Sequence, residues 1–266
     1  MSASRSGARY TLLFSAIVCV VCAVLVSSAA VILRDRQDTN SELDRRRNVL
    51  RAAGVLGETE TVSAEEVERR FASFTAVAVD LRTGEEDPSF DVSGYDARRA
   101  VASPDLSRAV EPNPAQVTRV AHHAVVYKQL DPDGRLSLLV LPIEGKGLWS
   151  TMYGFLALGA DLNTVRGLAF YQHGETPGLG GEVDSARWKA LWPGREVFDD
   201  EGDVAIQVIR GSAGPPEQDP HRVDGLSGAT LTSRGVSAML RFWLGPQGFG
   251  PYLDQLRKEA RGDQGA

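Results

Sequence analysis

The apolar residues of this chain fall into one unbroken block near the N-terminus and a series of shorter, differently spaced groups after it. Tyr10 to Leu33 is 24 residues without a charged side chain, rich in Val, Ala, Leu and Ile. At about 1.5 Å per residue, a helix of that length covers a hydrocarbon layer of roughly 30 Å. The pattern predicts a transmembrane helix. A cleavable signal peptide is the alternative, because Ser27-Ser-Ala-Ala30 supplies small residues, although the stretch exceeds the roughly 7–15 residues of a signal core. Leu43, Val49 and Leu50 are then spaced for one face of a charged helix over Asn40 to Ala53, with Gly54 placed to end it. Ser63-Ala-Glu-Glu66 reads as a capping box for a short helix from Ala64 to Ser73.

Strands are expected at Thr75 to Leu81, Ala124 to Leu130, Leu136 to Pro142, Phe155 to Leu158 and Val165 to Gln172, the second and third joined by the turn Asp131-Pro-Asp-Gly134. A helix over Ser185 to Leu191, a strand over Val204 to Ile209 and terminal helices over Thr232 to Leu244 and Pro251 to Arg261 complete the pattern. Glu85 to Pro114 lacks regular periodicity and reads as a long surface excursion. The fold class is therefore α+β, with one N-terminal transmembrane helix followed by a single mixed α/β domain. The expected organisation is a tail at 1–9, the span at 10–33, a charged helical connector at 34–62 and a soluble domain at 63–266.

Composition narrows the function. The formal net charge of −6 comes with no uninterrupted basic stripe after Arg47, which argues against a nucleic-acid surface. Arg5 and Arg9 precede the span, whereas Arg34, Arg36 and Arg45 to Arg47 follow it, so charge counting leans toward an inside C-terminal domain. The only cysteines, Cys19 and Cys22, both lie in the span. They read as small packing residues, since a metal pair needs further ligands at the same depth.

The most informative run is Asp224-Gly-Leu-Ser-Gly-Ala-Thr-Leu-Thr-Ser233, in which Gly228 and Ala229 precede Thr230 and let a bulky group approach the backbone. Val236, Met239, Leu240 and Trp243 share a helical face downstream, so a helix begins just after Thr230. Its free amides and dipole would favour a phosphoryl group on that hydroxyl. An ordinary N-cap is the competing reading of the same residues.

The run resembles the S/T-G-A-T signature of proteins that hold FMN through a phosphoester to the final threonine. The segments Gly145-Lys-Gly-Leu-Trp-Ser-Thr-Met-Tyr-Gly154, His173-Gly-Glu-Thr-Pro-Gly-Leu-Gly-Gly-Glu182, Trp188-Lys-Ala-Leu-Trp192 and Phe242-Trp-Leu-Gly245 are similar, in order, to the C subunit of the sodium-translocating NADH:ubiquinone reductase. The motif-bearing part is 118–253. The G subunit of Rnf-type electron transport complexes shares the threonine signature and is the alternative within the covalent FMN-binding family. An anchored assembly module without flavin is the alternative from another class.

The resemblance implies an electron-relay subunit with FMN on Thr230, and with Asp224, Ser227, Gly228 and Ala229 in the attachment signature. It also implies that Glu175, Thr176, Leu179 and Gly180 line the isoalloxazine, Thr176 and the Gly180 amide as polar contacts and Leu179 as an apolar one. Implied partners are the flavin-carrying B subunit, iron–sulfur subunits, a flavin transferase and the bacterial inner membrane, with the flavin domain on the periplasmic side against the charge count. Sodium would be handled by other subunits, so Glu85-Glu-Asp87 reads as a solvated loop. A relay needs no acid or base, and no catalytic or metal-binding residue is nominated.

Residue types alone leave the glycine-rich loop 173–182 open between a flavin cradle and a simple turn, and His173 reads as a hydrogen-bonded structural residue. His122 and His123, adjacent on a strand, point to opposite faces. Trp188 and Trp192, four apart, are expected on one packed helix. Trp149 is expected near the flavin or at a contact between subunits.

Overall fold

A computed structural model describes residues 3–263 of the chain. It divides into two compact units, Met1–Arg45 and Arg46–Ala266. In the first unit, residues Gly7–Arg34 are long and apolar enough to cross a membrane, and none of that window is buried. Leu12, Phe14, Ile17, Leu25 and Ile32 are more than half exposed, a surface that a water-soluble domain rarely leaves uncovered. Cys19 and Cys22 are exposed and unpaired along it.

The sequence reading separated a tail, a span and a connector helix, but helix α1 runs without interruption over Ala3–Ala52. The linking stretch Arg34 to Ser41 contains neither proline nor glycine, so nothing breaks the amide ladder where hydropathy changes. Met1 and Ser2 of the expected tail lie outside the described residues. Helix α1 ends at Gly54, whose φ of +71° is the left-handed conformation typical of a helix stop. Ser63 then caps α2, Ala64–Phe71, through its hydroxyl to the Glu66 amide at 3.3 Å.

The second unit is built on a six-stranded antiparallel sheet. Its strands are β1 (Phe74–Asp80), β2 (Glu85–Glu86), β5 (His123–Leu130), β6 (Leu136–Lys146), β7 (Thr151–Gly159) and β8 (Val165–Gln172), in the order β2-β1-β5-β6-β7-β8. The β5–β6 turn is held by Asp131, whose carboxylate accepts the Asp133 and Arg135 amides at 2.9 Å each. Strands β6 and β7 outrun their apolar cores because hairpin pairing continues to Lys146↔Thr151. The short elements α3 (Ala97–Ala100), β3 (Ser107–Arg108) and β4 (Val120–Ala121) complete the first half. The expected excursion at 85–114 therefore carries β2, α3 and β3, and buries Ala100, Ser107 and Val110. His123 pairs with Asp87 at 3.3 Å and stacks on Phe90.

Both faces of the sheet are covered. Leu139, Leu141 and Ile143 of β6 lie in one buried cluster with Met152 and Leu156 of β7 and with Val236, Met239 and Leu240 of helix α5, Thr230–Leu244. Trp243 ties α5 to the sheet by donating its indole N–H to the Glu144 carbonyl at 2.6 Å. The opposite face carries Tyr127 and Phe155, and Phe71 of α2 meets Tyr127 edge-on at 5.6 Å.

Two expected elements shrink. The helix at 185–191 is only α4, Ala186–Lys189. Trp192 lies beyond it, yet its ring still meets Trp188 at 5.2 Å and both are buried. The strand expected at 204–209 reduces to β9, Gln207–Val208, paired in parallel with β10, Arg222–Val223. Val204 to Ile206 turn instead to Phe198 and Val197, through a lone bridge and the Ala205 and Ile206 amides, so only Gln207 and Val208 form a ladder. Helix α6, Gly250–Asp263, closes the domain.

Candidate functional site

The run around Thr230 is fixed from both sides. Asp224 accepts the Ala213 amide at 2.7 Å and the Ser212 hydroxyl at 3.0 Å, while its carbonyl accepts the Trp188 indole N–H at 2.9 Å. The Asp224 carboxylate thus faces the preceding loop and shapes the chain path. Two residues on, the Leu226 amide donates to the buried Ser233 hydroxyl at 3.1 Å, pulling the turn against α5. Gly228 adopts φ +71°, and a Cβ there would stand 2.9 Å from Cδ2 of Leu179. The chain therefore reverses where a side chain would be strained and crowded. Ser227 and Gly228 are exposed and Ala229 is buried.

Helix α5 starts at Thr230 itself, two residues before the expected start. Its N-cap is Ala229, which makes no side-chain capping bond. Thr230 is thus the first residue of the helix, and its hydroxyl makes no capping bond. Its side chain is exposed, and no hydrogen bond among the described residues engages its hydroxyl. An unengaged hydroxyl at the first residue of a helix lies where free amides and the positive dipole end favour an anion.

Thr232, in the same turn, is its opposite. It is fully buried and donates to Oε2 of Glu175 at 2.6 Å. The Glu175 carboxylate also accepts three consecutive amides, Leu148 at 3.1 Å, Trp149 at 3.0 Å and Ser150 at 3.4 Å. Burial pushes this carboxyl up, but the hydrogen bonds from Thr232, Trp149, Leu148 and Ser150 outweigh that and hold it below the ordinary glutamate value. Side chains at Gly147 and Gly180 would collide with it, at 2.5 Å and 2.8 Å from its oxygens.

The resemblance had Glu175 lining the flavin ring; here its side chain turns inward and binds the protein. Gly180 is buried against the same carboxylate, whereas Thr176 and Leu179 face outward. The Thr176 carbonyl accepts the Leu179 and Gly181 amides, which tightens the loop and presents Leu179 beside Gly228. His173 is structural: its Nε2 meets Asp184 at 2.7 Å and its Nδ1 accepts the Glu175 amide at 3.2 Å.

Four exposed apolar side chains belong to these segments: Trp149 at 66 %, Leu231 at 54 %, Leu179 at 45 % and Leu148 at 41 %. Exposed apolar side chains on segments that also carry an unengaged hydroxyl suit a planar aromatic ligand tethered by an anionic arm. Leu148, Ser150 and Leu231 escaped the sequence reading, and so did the inward bond of Thr232. Thr232 did carry a signal, since it is a hydroxyl at a core-facing position of the helix. Among the described residues, no group of three His, Cys, Asp or Glu side chains could hold a metal ion.

A family model described as FMN-binding domain matches residues 147–245, which contain all these segments. The chain is 48 % identical over 260 residues to the C subunit of the Na(+)-translocating NADH-quinone reductase of Pseudomonas aeruginosa, covering 96 % of this chain and 98 % of that protein. It is 43 % identical to the protein of the same name from Yersinia pestis, covering 94 % and 93 %. Among solved structures it resembles NqrC of Shewanella oneidensis at 38 % identity and a TM-score of 0.73, covering 80 % of this chain and 96 % of that one.

Proposed function

The chain belongs to the family formed by the C subunit of the Na(+)-translocating NADH-quinone reductases, and we propose that it relays electrons through an FMN esterified to Thr230. The observation that carries this reading is the contrast within one helical turn. Thr230 is exposed and unengaged, while the hydroxyls of Thr232 and Ser233 are buried in hydrogen bonds. Of these three hydroxyls, only that of Thr230 can offer its oxygen without breaking a buried hydrogen bond.

The residues present fit the group. Thr230 Oγ1 would hold the phosphate as an ester, with the first amides of α5 facing the anionic oxygens. Leu179, Leu231 and Trp149 would form apolar walls for the ring. Asp224, Ser227, Gly228 and Ala229 set the path that presents the hydroxyl, and Thr176 offers a polar edge. In attachment, a separate transferase supplies the FMN portion of flavin adenine dinucleotide. The threonine oxygen bonds to phosphorus, AMP leaves, and the hydroxyl proton passes to solvent. When bound, FMN supplies one- and two-electron redox chemistry. Tethering keeps its ring at an effective concentration of order mM even where the walls are open, which suits exchange with neighbouring carriers.

In this reading the chain is anchored in the bacterial inner membrane by residues Gly7–Arg34, with its flavin domain on the periplasmic side. The whole assembly oxidises NADH, reduces ubiquinone and exports sodium. The B subunit, with its own flavin, and the iron–sulfur subunits are its electron partners. The test is coexpression with a flavin transferase, followed by denaturing electrophoresis and peptide mapping. A fluorescent band whose flavin maps to Thr230, and which Thr230→Ala removes, is the expected result. A dark band, or flavin on another residue, refutes the proposal.

A further inference from the structure

Glu175 joins three segments that are far apart in sequence: the loop of Leu148 to Ser150, its own glycine-rich loop, and the first turn of α5. A carboxylate offers about four acceptor positions, and the four donors here fill them. No lone pair is left for a ligand. Three successive amides form a concavity of the kind that commonly receives a phosphate, but in this fold the protein's own carboxylate occupies it.

We infer that Glu175 is a positioning residue, whose carboxylate ties the loop carrying Trp149 to the first turn of α5 and so fixes the environment of the flavin ring without touching it. This rests on the reading of Thr230 as the FMN site. The path is short. Oε1 accepts the Trp149 amide at 3.0 Å, Oε2 accepts the Thr232 hydroxyl at 2.6 Å, and Thr232 lies in the same turn as Thr230. Trp149 is 66 % exposed, so little but this anchored backbone keeps its indole in place. Cβ atoms at Gly147 and Gly180 would stand 2.5 Å and 2.8 Å from the carboxylate oxygens, and the absence of side chains there is what admits it.

The experiment uses the full-length chain coexpressed with a flavin transferase. It compares Glu175→Gln, Thr232→Val, Thr232→Ser and Trp149→Phe, with Glu175→Gln also placed in the Trp149→Phe background. Flavin content is read on the denatured chains, and flavin emission is read on the folded ones, where a neighbouring indole quenches it by electron transfer. Glu175→Gln replaces an acceptor by an amide group that opposes the backbone N–H donors, and Thr232→Val removes one donor while keeping shape.

Both variants, and Trp149→Phe, should keep the label and show a severalfold rise in folded-state emission. Thr232→Ser, which restores the hydroxyl, should return emission to that of the parent chain. Glu175→Gln should add nothing once Trp149 is phenylalanine. Should Glu175→Gln fail to fold, the Thr232→Val and Thr232→Ser pair decides the matter.

Retained label with unchanged emission in Thr232→Val, or additive effects of Glu175→Gln and Trp149→Phe, would overturn the positioning role alone. An unlabelled parent chain would instead overturn the Thr230 reading, and this role with it.

Discussion

Thr230 and Thr232 stand two residues apart on one helical turn, and the structure assigns them opposite consequences for the same substitution. Valine keeps the branched shape of threonine and deletes the hydroxyl. At Thr232 the lost group is a fully buried donor to the Glu175 carboxylate at 2.6 Å. Hydrogen bonds to charged groups contribute about 1.5–3 kcal/mol, and the buried carboxylate left behind keeps only its three backbone donors. At Thr230 the lost group is exposed and bonds to nothing among the described residues, so the change should stay within about 0.5 kcal/mol.

The comparison is made on chains expressed without a flavin transferase, so that no cofactor contributes. Urea unfolding is followed by the fluorescence of the buried Trp188, Trp192 and Trp243. With a denaturant slope of roughly 2 kcal/mol per M, Thr232→Val should lower the midpoint by about 1 M, while Thr230→Val leaves it in place. With the transferase present the pattern inverts: Thr230→Val carries no flavin and Thr232→Val carries it. A Thr230→Val midpoint as low as that of Thr232→Val, or label that survives Thr230→Val, would refute the assignment of the two hydroxyls.

Three further outcomes follow from other parts of the domain. Burial pushes the Glu144 carboxyl up to about 7, against a smaller lowering by Arg98 and with a further raising by Asp96. Because the folded value lies above the ordinary one near 4.5, stability is full at lower pH and falls by about 3 kcal/mol at most as pH rises through 7. Glu144→Gln should flatten the melting temperature between pH 5 and 8, and an unchanged slope would count against a buried neutral carboxyl. Arg234 is exposed one turn after Thr230 and has no ion pair among the described residues, so it lies just past the first turn of α5, where the positive helix end costs it at most about 0.3 kcal/mol. Arg234→Glu should stabilise the unlabelled chain by about that amount in urea unfolding yet slow flavin attachment in a timed labelling assay. Gly180→Ala would place a Cβ 2.6 Å from Thr232 Oγ1 and should lower stability by about 1–3 kcal/mol, the usual result of overpacking, as read from the urea midpoint.

What could be read from the sequence depended on whether a feature was local. Strand β8 appears with its expected limits, Val165–Gln172, and α5 follows its apolar face to Leu244. The stretch at 204–209 has similar residues, but a strand also needs one continuous neighbour, and its backbone bonds are divided between the 197–198 segment and β10, leaving a ladder of only Gln207 and Val208. Thr230 stood out because small residues crowd the chain before it. The inward turn of Glu175 could not be read in that way, since a loop sequence records the acid and not its direction. Yet α5 held the clue. Thr232 occupies a core-facing position, and a hydroxyl there must find a partner or lose its hydration without return. A glutamate in a loop of glycines is the kind of acceptor that can reach it, because the same lack of side chains that suggested room for a ligand also leaves room for a carboxylate. The glycines at 147 and 180 are therefore better explained by Glu175 than by the flavin. In the first turn of α5 one threonine is bonded inward and the other keeps an exposed, unengaged hydroxyl, and that contrast supports the proposal for Thr230.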